Sequence, residues 1–324
     1  MRVVHVVGFG GPEMLVPAVE PDPVAGPGQV LVEVSVAGLT FVETQIRQGV
    51  GSWHRRPELP YVPGGLVGGT VRELGSRVDP SWAGRRVVAR IGETGGFAEL
   101  AVAEPGQLFA VPDALGLQEA VALYTDGSTA QGLVEHAGIT PGDRVLIEAA
   151  AGGVGSLLIQ LCRLAGAQVI AAARGSRKLD LTRTLGAHAS VDYSTPDWSG
   201  QVRQITAGTG PDVVFDGVGG PIGRSAFEMT APQGRFSIHG AASGELTRIS
   251  PDEAARRDVT VISIDQLAGF RPHVPRWAEQ IMAQAISGDV VPVIGQTFPL
   301  ERASEAHAAI ENRTALGKTL VIVR

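Results

Sequence analysis

The segment Val145-Leu-Ile-Glu-Ala-Ala-Ala-Gly-Gly-Val-Gly155 runs straight into Ser156-Leu-Leu-Ile-Gln160, so that a strand, a glycine turn and a helix follow one another without a break. No other feature of the chain limits its fold as strongly. Gly152, Gly153 and Gly155 allow a tight turn and a close approach of backbone to a ligand, and the helix opening near Val154 aims free N–H groups and its positive dipole end at an anion. The spacing predicts a dinucleotide cradle in which Gly152, Gly153 and Val154 meet a diphosphate. The plainer alternative is an ordinary strand-to-helix turn. Against it stands the apolar run Gln168-Val-Ile-Ala-Ala-Ala173, a second strand at the distance that a βαβ unit requires.

The end of that second strand bears on the choice of nucleotide. A carboxylate there accepts hydrogen bonds from a ribose 2′-hydroxyl and repels a 2′-phosphate. Here the position is Ala173, followed by Arg174, and Arg177 and Lys178 come next. Guanidinium groups fork onto phosphate oxygens, so Ala173-Arg-Gly-Ser-Arg-Lys178 predicts an NADP(H) pocket in which Arg174, Lys178 and Tyr193 surround the 2′-phosphate. A solvated basic start to the next helix is the alternative, disfavoured because basic residues in a first turn oppose the helix dipole. For Tyr193, a half-buried aromatic at a strand end and a phosphate ligand stay equally open. Val218, His239, Gly240 and Ala241 fall at the ends of later strands, where open α/β sheets bind ligands.

The texture of the chain changes near residue 115. Before it, Val-rich strands broken by Gly and Pro (29–37, 67–74, 85–90, 97–102) predict a small, mostly β domain. After it, strands at 145–148, 169–173, 190–191, 213–216 and 234–239 alternate with helices, as a doubly wound parallel sheet demands. A helix at 276–287, the segment 290–294, a helix near 300–311 and a last strand at 319–323 read as a return to the first domain. The expected division is 1–120 with 268–324 for the β domain and 121–267 for the nucleotide domain. At 324 residues and 44% apolar, the chain is long enough for both. A net charge of −6 with scattered basic residues gives no footprint for nucleic acid or an anionic membrane, and no apolar run approaches a membrane span. A cytoplasmic protein is expected, its single Cys162 buried and inert.

Val36-Ala-Gly-Leu-Thr-Phe-Val-Glu-Thr-Gln-Ile-Arg-Gln-Gly49, Val62-Pro-Gly64, Gly95-Gly-Phe-Ala-Glu99, Asp126-Gly-Ser-Thr-Ala130, Ala149 to Gly155, Asp216-Gly-Val-Gly219 and Arg313-Thr-Ala-Leu-Gly-Lys-Thr-Leu320 together resemble the medium-chain dehydrogenase/reductase superfamily, in its zinc-free quinone oxidoreductase branch. The resemblance covers nearly the whole chain. It implies an α/β fold, a Rossmann doubly wound domain plus a GroES-like, mostly β catalytic domain, with the active site in the cleft between them and a homodimer as the common assembly. It further implies that Thr129 lies beside the nicotinamide, with self-capping of its helix as the plain alternative, and that Arg313 is a further contact to the nucleotide. Trp53, His54, Tyr61 and Tyr124 are implied to flank the cleft, with packing under a wet hydroxyl as the favoured plain reading of Tyr61 and Tyr124. The branch usually has Asn where this chain has Thr40, and Glu where it has Leu66. Thr40 lacks the amide's two donors, and Leu66 fits a more apolar substrate pocket, with a simple core swap as the favoured alternative. The zinc branch's Cys, its Gly-His-Glu motif and its cysteine lobe are missing, and no histidine pair has ligand spacing, so no metal is expected.

Without a metal to polarise an alcohol, the chemistry expected is hydride donation from NADPH to an electron-poor acceptor, a quinone or an enone, with donors offered to the developing oxyanion. Thr40, Tyr124 and His239 are the candidate catalytic residues, the last two as proton donors. Details at Val42 to Arg47 and Pro60 to Gly65 are similar to enoyl reductases that tailor aromatic polyketide quinones, implying a polycyclic acceptor. Two other readings stay open: an NADPH-binding protein without turnover, and an enoyl-thioester reductase. Glu43 and Arg47, at helical spacing, read as a structural pair or a solvated face.

Overall fold

The structure is a computed structural model that describes residues 1–50 and 56–324. Trp53 and His54 lie outside the described residues. Contacts divide the chain into two compact units, Met1–Tyr124 with Val293–Arg324, and Thr125–Pro292. In chain order the elements are β1 (Arg2–Val6), β2 (Leu15–Val19), β3 (Val30–Leu39), α1 (Phe41–Gln48), β4 (Leu66–Leu74), β5 (Arg86–Arg90), β6 (Leu100–Ala103), β7 (Leu108–Ala110) and α2 (Leu117–Ala137). Then come β8 (Arg144–Ile147), α3 (Gly153–Leu164), β9 (Gln168–Ala173), α4 (Ser176–Thr184), β10 (Ala189–Asp192), α5 (Trp198–Ile205), β11 (Val213–Asp216), α6 (Gly220–Met229) and β12 (Arg235–Ile238). The chain ends with α7 (Pro251–Arg257), β13 (Thr260–Ile262), α8 (Gln266–Gly269), α9 (Val274–Ser287), β14 (Ile294–Pro299), α10 (Ala303–Glu311) and β15 (Lys318–Ile322).

The first unit is the β domain that the Val-rich texture anticipates. Its larger sheet has the order β14-β15-β3-β4-β5-β7, with β6 also on β3, and is antiparallel except for the β14–β15 pair. Strand alternation buries Val30, Val32 and Val34 completely, and their core extends to Val321 of β15 and Ala306 of α10 from the far end of the chain. The domain therefore cannot close its core until the last strand is in place.

The second unit holds a six-stranded sheet of order β10-β9-β8-β11-β12-β13, parallel throughout. Counted from β8 this is the order 3-2-1-4-5-6 of the Rossmann fold. The central strands lie under helices on both faces, so Val145, Leu146 and Ile147 of β8 and Val213, Val214 and Phe215 of β11 are all fully buried, which explains their unbroken apolar runs. Strand β13 has no counterpart in the sequence reading, because three residues carry no periodic signal.

The second boundary departs from expectation. Residues 268–292, expected with the β domain, pack within the nucleotide domain. Trp277 of α9 is fully buried and its indole donates to Glu135 of α2 at 2.9 Å. Its ring lies where a β-carbon on Gly132 would stand, 2.7 Å away, and Ile281 blocks Gly127 in the same way at 2.9 Å. Two glycines inside α2 open a face on which α9 seats. In sequence they read only as weak helix formers.

Candidate active site

Strand β8 gives way to α3 through Glu148, Ala149 and three further residues. The turn is made by Ala149, at φ 47, and not by a glycine. Gly152, the N-cap, is extended and supplies no side-chain cap to α3. Gly155 is needed for packing, since a β-carbon there would stand 2.5 Å from the Ala149 carbonyl oxygen. Gly153 is needed for a neighbour that the sequence reading names only within a motif, without this contact: a β-carbon would stand 2.0 Å from the Asp126 carboxylate of α2. Asp126 is buried beside the first turn of α3, where the helix dipole favours a carboxylate. At Gly152 the nearest protein atom to such a β-carbon is 3.2 Å away, so the protein constrains this glycine least of the three.

At the end of β9 the structure sets one further residue among those expected to form the pocket. Arg174 is exposed, and Lys178 and Tyr193 are half-buried, the Tyr193 ring packing against the core around Trp198 and Val202. Ala173 pairs across the sheet with Asp192 of β10. The acid missing from β9 is thus present one strand over. Its Oδ2 accepts from Gly175 N at 2.9 Å, and its Oδ1 from Ser194 N at 2.9 Å and Ser194 Oγ at 2.5 Å. Burial pushes the Asp192 pKa up, but these bonds and the Arg174 charge outweigh it and hold the carboxyl below its ordinary range. Both oxygens are engaged in shaping the loop. A sequence rule that looks only at the end of β9 does not reach this residue.

Past β11 and β12 the chain brings Val218, His239, Gly240 and Ala241 together. Asp216 Oδ1 accepts from Val218 N at 3.1 Å and Gly219 N at 2.7 Å, and His239 N donates to the Asp216 carbonyl at 2.9 Å. A β-carbon on Gly240 would stand 2.7 Å from the Gly217 carbonyl oxygen, so the two strand-end loops touch. His239 is half-buried, and desolvation lowers its pKa to about 4 despite the nearby Asp216, leaving the ring neutral at neutral pH. Thr129 lies mid-helix in α2 and not at its N-cap.

In the first unit Thr40 caps α1. Its backbone N–H and hydroxyl donate to Glu43 Oε2 at 2.6 and 2.8 Å, and Gly65 N donates to Glu43 Oε1 at 3.3 Å. Burial raises the Glu43 pKa, opposed by these bonds and by the buried Lys318. Glu43 does not pair with Arg47. Arg47 is fully buried and forms an ion pair with Glu311 of α10, because the last turn of α1 points at that helix while its first turn faces Gly65. Leu66 is buried beside Gly38, and burial pushes the half-buried Tyr61 hydroxyl up to about 12. Tyr124 is buried against Phe109, ring centroids 5.6 Å apart, and burial raises its pKa too. Arg313 stacks its guanidinium 4.6 Å from the centroid of the Phe41 ring.

Among the described residues no three His, Cys, Asp or Glu side chains stand together in a way that could hold a metal, and no helix is long and apolar enough to cross a membrane. The family described as alcohol dehydrogenase GroES-like domain matches residues 26–113, and that described as zinc-binding dehydrogenase matches residues 153–283. The chain is 32% identical to a quinone oxidoreductase-like protein 2 homolog of Nematostella vectensis, over 91% of this chain and 82% of that one. It is 30% identical to a 2-haloacrylate reductase of a Burkholderia species, over 92% and 91% of the two chains. Its fold matches Escherichia coli quinone oxidoreductase, solved with NADPH, at a TM-score of 0.91 and 25% identity over the full length of both. One chain that carries both a GroES-like domain and a Rossmann sheet whose helix α3 lacks a side-chain cap defines a class, the two-domain nucleotide-dependent oxidoreductases. Within that class the chain belongs to the medium-chain dehydrogenase/reductase superfamily, in its quinone oxidoreductase branch.

Proposed function

We propose that the protein is an NADPH-dependent reductase that delivers hydride, without a metal, to a quinone or an α,β-unsaturated carbonyl compound. The observation that carries this reading is the absence of a carboxylate at Ala173 together with Arg174 and Lys178 beside it, at the end of the strand after an uncapped glycine turn. The N–H groups of Gly152, Gly153 and Val154 hold the diphosphate, Arg174, Lys178 and Tyr193 the 2′-phosphate, and Thr129, Val218, His239, Gly240 and Ala241 the nicotinamide end. NADPH, when bound, supplies the hydride. Arg313 is the proposed further nucleotide contact, and Tyr61 and Leu66 the proposed apolar lining for the acceptor.

Hydride addition places negative charge on the acceptor oxygen, and a proton must follow. Tyr124 keeps its proton far above neutral pH and can give it as a hydrogen bond. A neutral His239 offers only its single ring proton. The Thr40 hydroxyl proton is committed to Glu43, so toward a ligand Thr40 has lone pairs only. The 2-haloacrylate reductase among the relatives supports a conjugated acceptor, and a polycyclic polyketide enone is the narrower form of the same proposal. A cytoplasmic homodimer completes it.

The test is NADPH oxidation against benzoquinone, naphthoquinone, phenanthrenequinone, simple enones and a haloacrylate. Turnover with a preference supports the reading and bounds the pocket. Tight NADPH binding without oxidation of any of them would overturn the reductase reading for these acceptors.

A further inference from the structure

Three ionisable side chains converge where neighbouring strands of the parallel sheet end. Glu148 follows β8, Asp216 closes β11 and His239 follows β12, and β8 and β11 flank the point at which the strand order reverses. That is where open sheets of this kind take their ligands. Glu148 and Asp216 are both completely buried. Asp216 accepts three hydrogen bonds, from Val218 N, Gly219 N and Thr247 Oγ1, the last at 2.6 Å. Glu148 is served far less well: among the described residues neither of its oxygens makes a full hydrogen bond, the Val218 N–H being the weakest of the influences on it, and the buried Nδ1 of the neighbouring His239 has no partner either. A buried carboxylate without a donor is among the costliest arrangements a protein interior can hold, and the usual response is to keep the proton. A protonated carboxyl becomes a donor, and the side chain within hydrogen-bonding reach of it is Asp216.

We infer that Glu148 is held as a neutral carboxylic acid whose proton is shared with Asp216, and that through Asp216 it positions the Val218–Gly219 backbone. The positioning half rests on the NADPH reading above, in which Val218 faces the nicotinamide; the protonation half does not. Burial and the Asp216 charge both drive the Glu148 pKa well above that of an ordinary glutamate. The one charged group that acts both on this acid and on His239 is Asp216, and among the described residues no arginine or lysine offsets it. Loss of the Glu148 proton at alkaline pH sets a second buried negative charge against Asp216, removes a donor from it and loosens the loop that Asp216 holds. Glu148 acts through Asp216, and so is a positioning residue and not a catalytic one.

The test compares wild type, Glu148→Gln and Glu148→Ala in three measurements. Infrared spectra at neutral pH should show a protonated carboxyl stretch that Glu148→Gln lacks. Thermal melts should show Glu148→Gln gaining on wild type as pH rises above the ordinary glutamate range, because the wild-type fold favours the protonated form and loses that contribution as pH climbs toward its raised pKa. Fluorescence titration should show NADPH affinity falling at alkaline pH in wild type, staying level and within about twofold of the neutral value in Glu148→Gln, and weakening about tenfold at every pH in Glu148→Ala, the cost of one charge-assisted hydrogen bond. An absent carboxyl band, or parallel melts for wild type and Glu148→Gln, overturns the protonation. Equal loss of affinity in the Gln and Ala variants overturns the positioning. If the wild type does not bind NADPH at all, the functional reading and the positioning fall together, while the spectra and melts still decide the protonation. Should the Ala variant fail to fold, the Gln variant decides both halves.

Discussion

At the scale of single residues, the proposed choice of nucleotide rests on Arg174 and Lys178. Each would give a charged hydrogen bond to a 2′-phosphate, worth about 1.5 kcal/mol at so exposed a site, so the double variant Arg174→Ala, Lys178→Ala should raise KM for NADPH at least about a hundredfold and leave KM for NADH nearly unchanged. Paired steady-state kinetics with the two nucleotides checks this, and equal losses for both would refute a phosphate role. Gly153→Ala should act differently. The added methyl meets the Asp126 carboxylate, so the variant should lose about 1–3 kcal/mol of stability as well as nucleotide affinity, and adding Asp126→Ala should restore the stability. Melting curves of the single and double variants test that coupling. The glycines themselves were legible as a motif. The carboxylate behind Gly153, and Asp192 behind Gly175, were not, because each comes from an element distant in sequence.

At the scale of elements, the seating of α9 on α2 is the contact that moves the domain boundary. Trp277 fills the space left by Gly132 and closes against Phe270, centroids 5.0 Å apart. Trp277→Ala should therefore cost about 3–5 kcal/mol, and Gly132→Leu should be as damaging, since no side chain fits beneath the indole. Calorimetry would show whether the loss is of that size; a change below about 1 kcal/mol would mean that the helix is held elsewhere. The amphipathic pattern predicts α9 within two residues at its start, yet periodicity says only that a helix has an apolar face. It does not say which domain supplies the partner.

The whole molecule responds to pH through groups held neutral inside it. His307 of α10 is fully buried, among the described residues neither ring nitrogen has a hydrogen-bond partner, and desolvation, aided by the nearby Arg47 charge, lowers its pKa to about 3. His239 is lowered to about 4. In both cases the fold favours the neutral ring, so the stabilisation is complete above the unfolded value of about 6.5 and is lost as pH falls through the folded values. Acid unfolding should steepen in that window, and His307→Leu, which keeps the volume and removes the titration, should shift the midpoint to lower pH by circular dichroism. An unchanged midpoint would assign the acid limb to carboxylates instead.

Local order along the chain was enough to determine the alternation of strand and helix, the glycine turn and the sign of charge at the end of β9, because each is written in residues close together in sequence. Those features carried the fold class and the nucleotide reading. What only the tertiary structure decided are pairings across long separations: Asp126 against Gly153, Trp277 against Gly132, Arg47 with Glu311 in place of Glu43, and Glu148 beside Asp216. The physical reason is common to all four. Whether a charge is solvated, paired or forced to keep its proton, and whether a glycine is a weak helix former or a seat for an aromatic ring, depends on which atoms fill the space around it, and folding alone brings those atoms there.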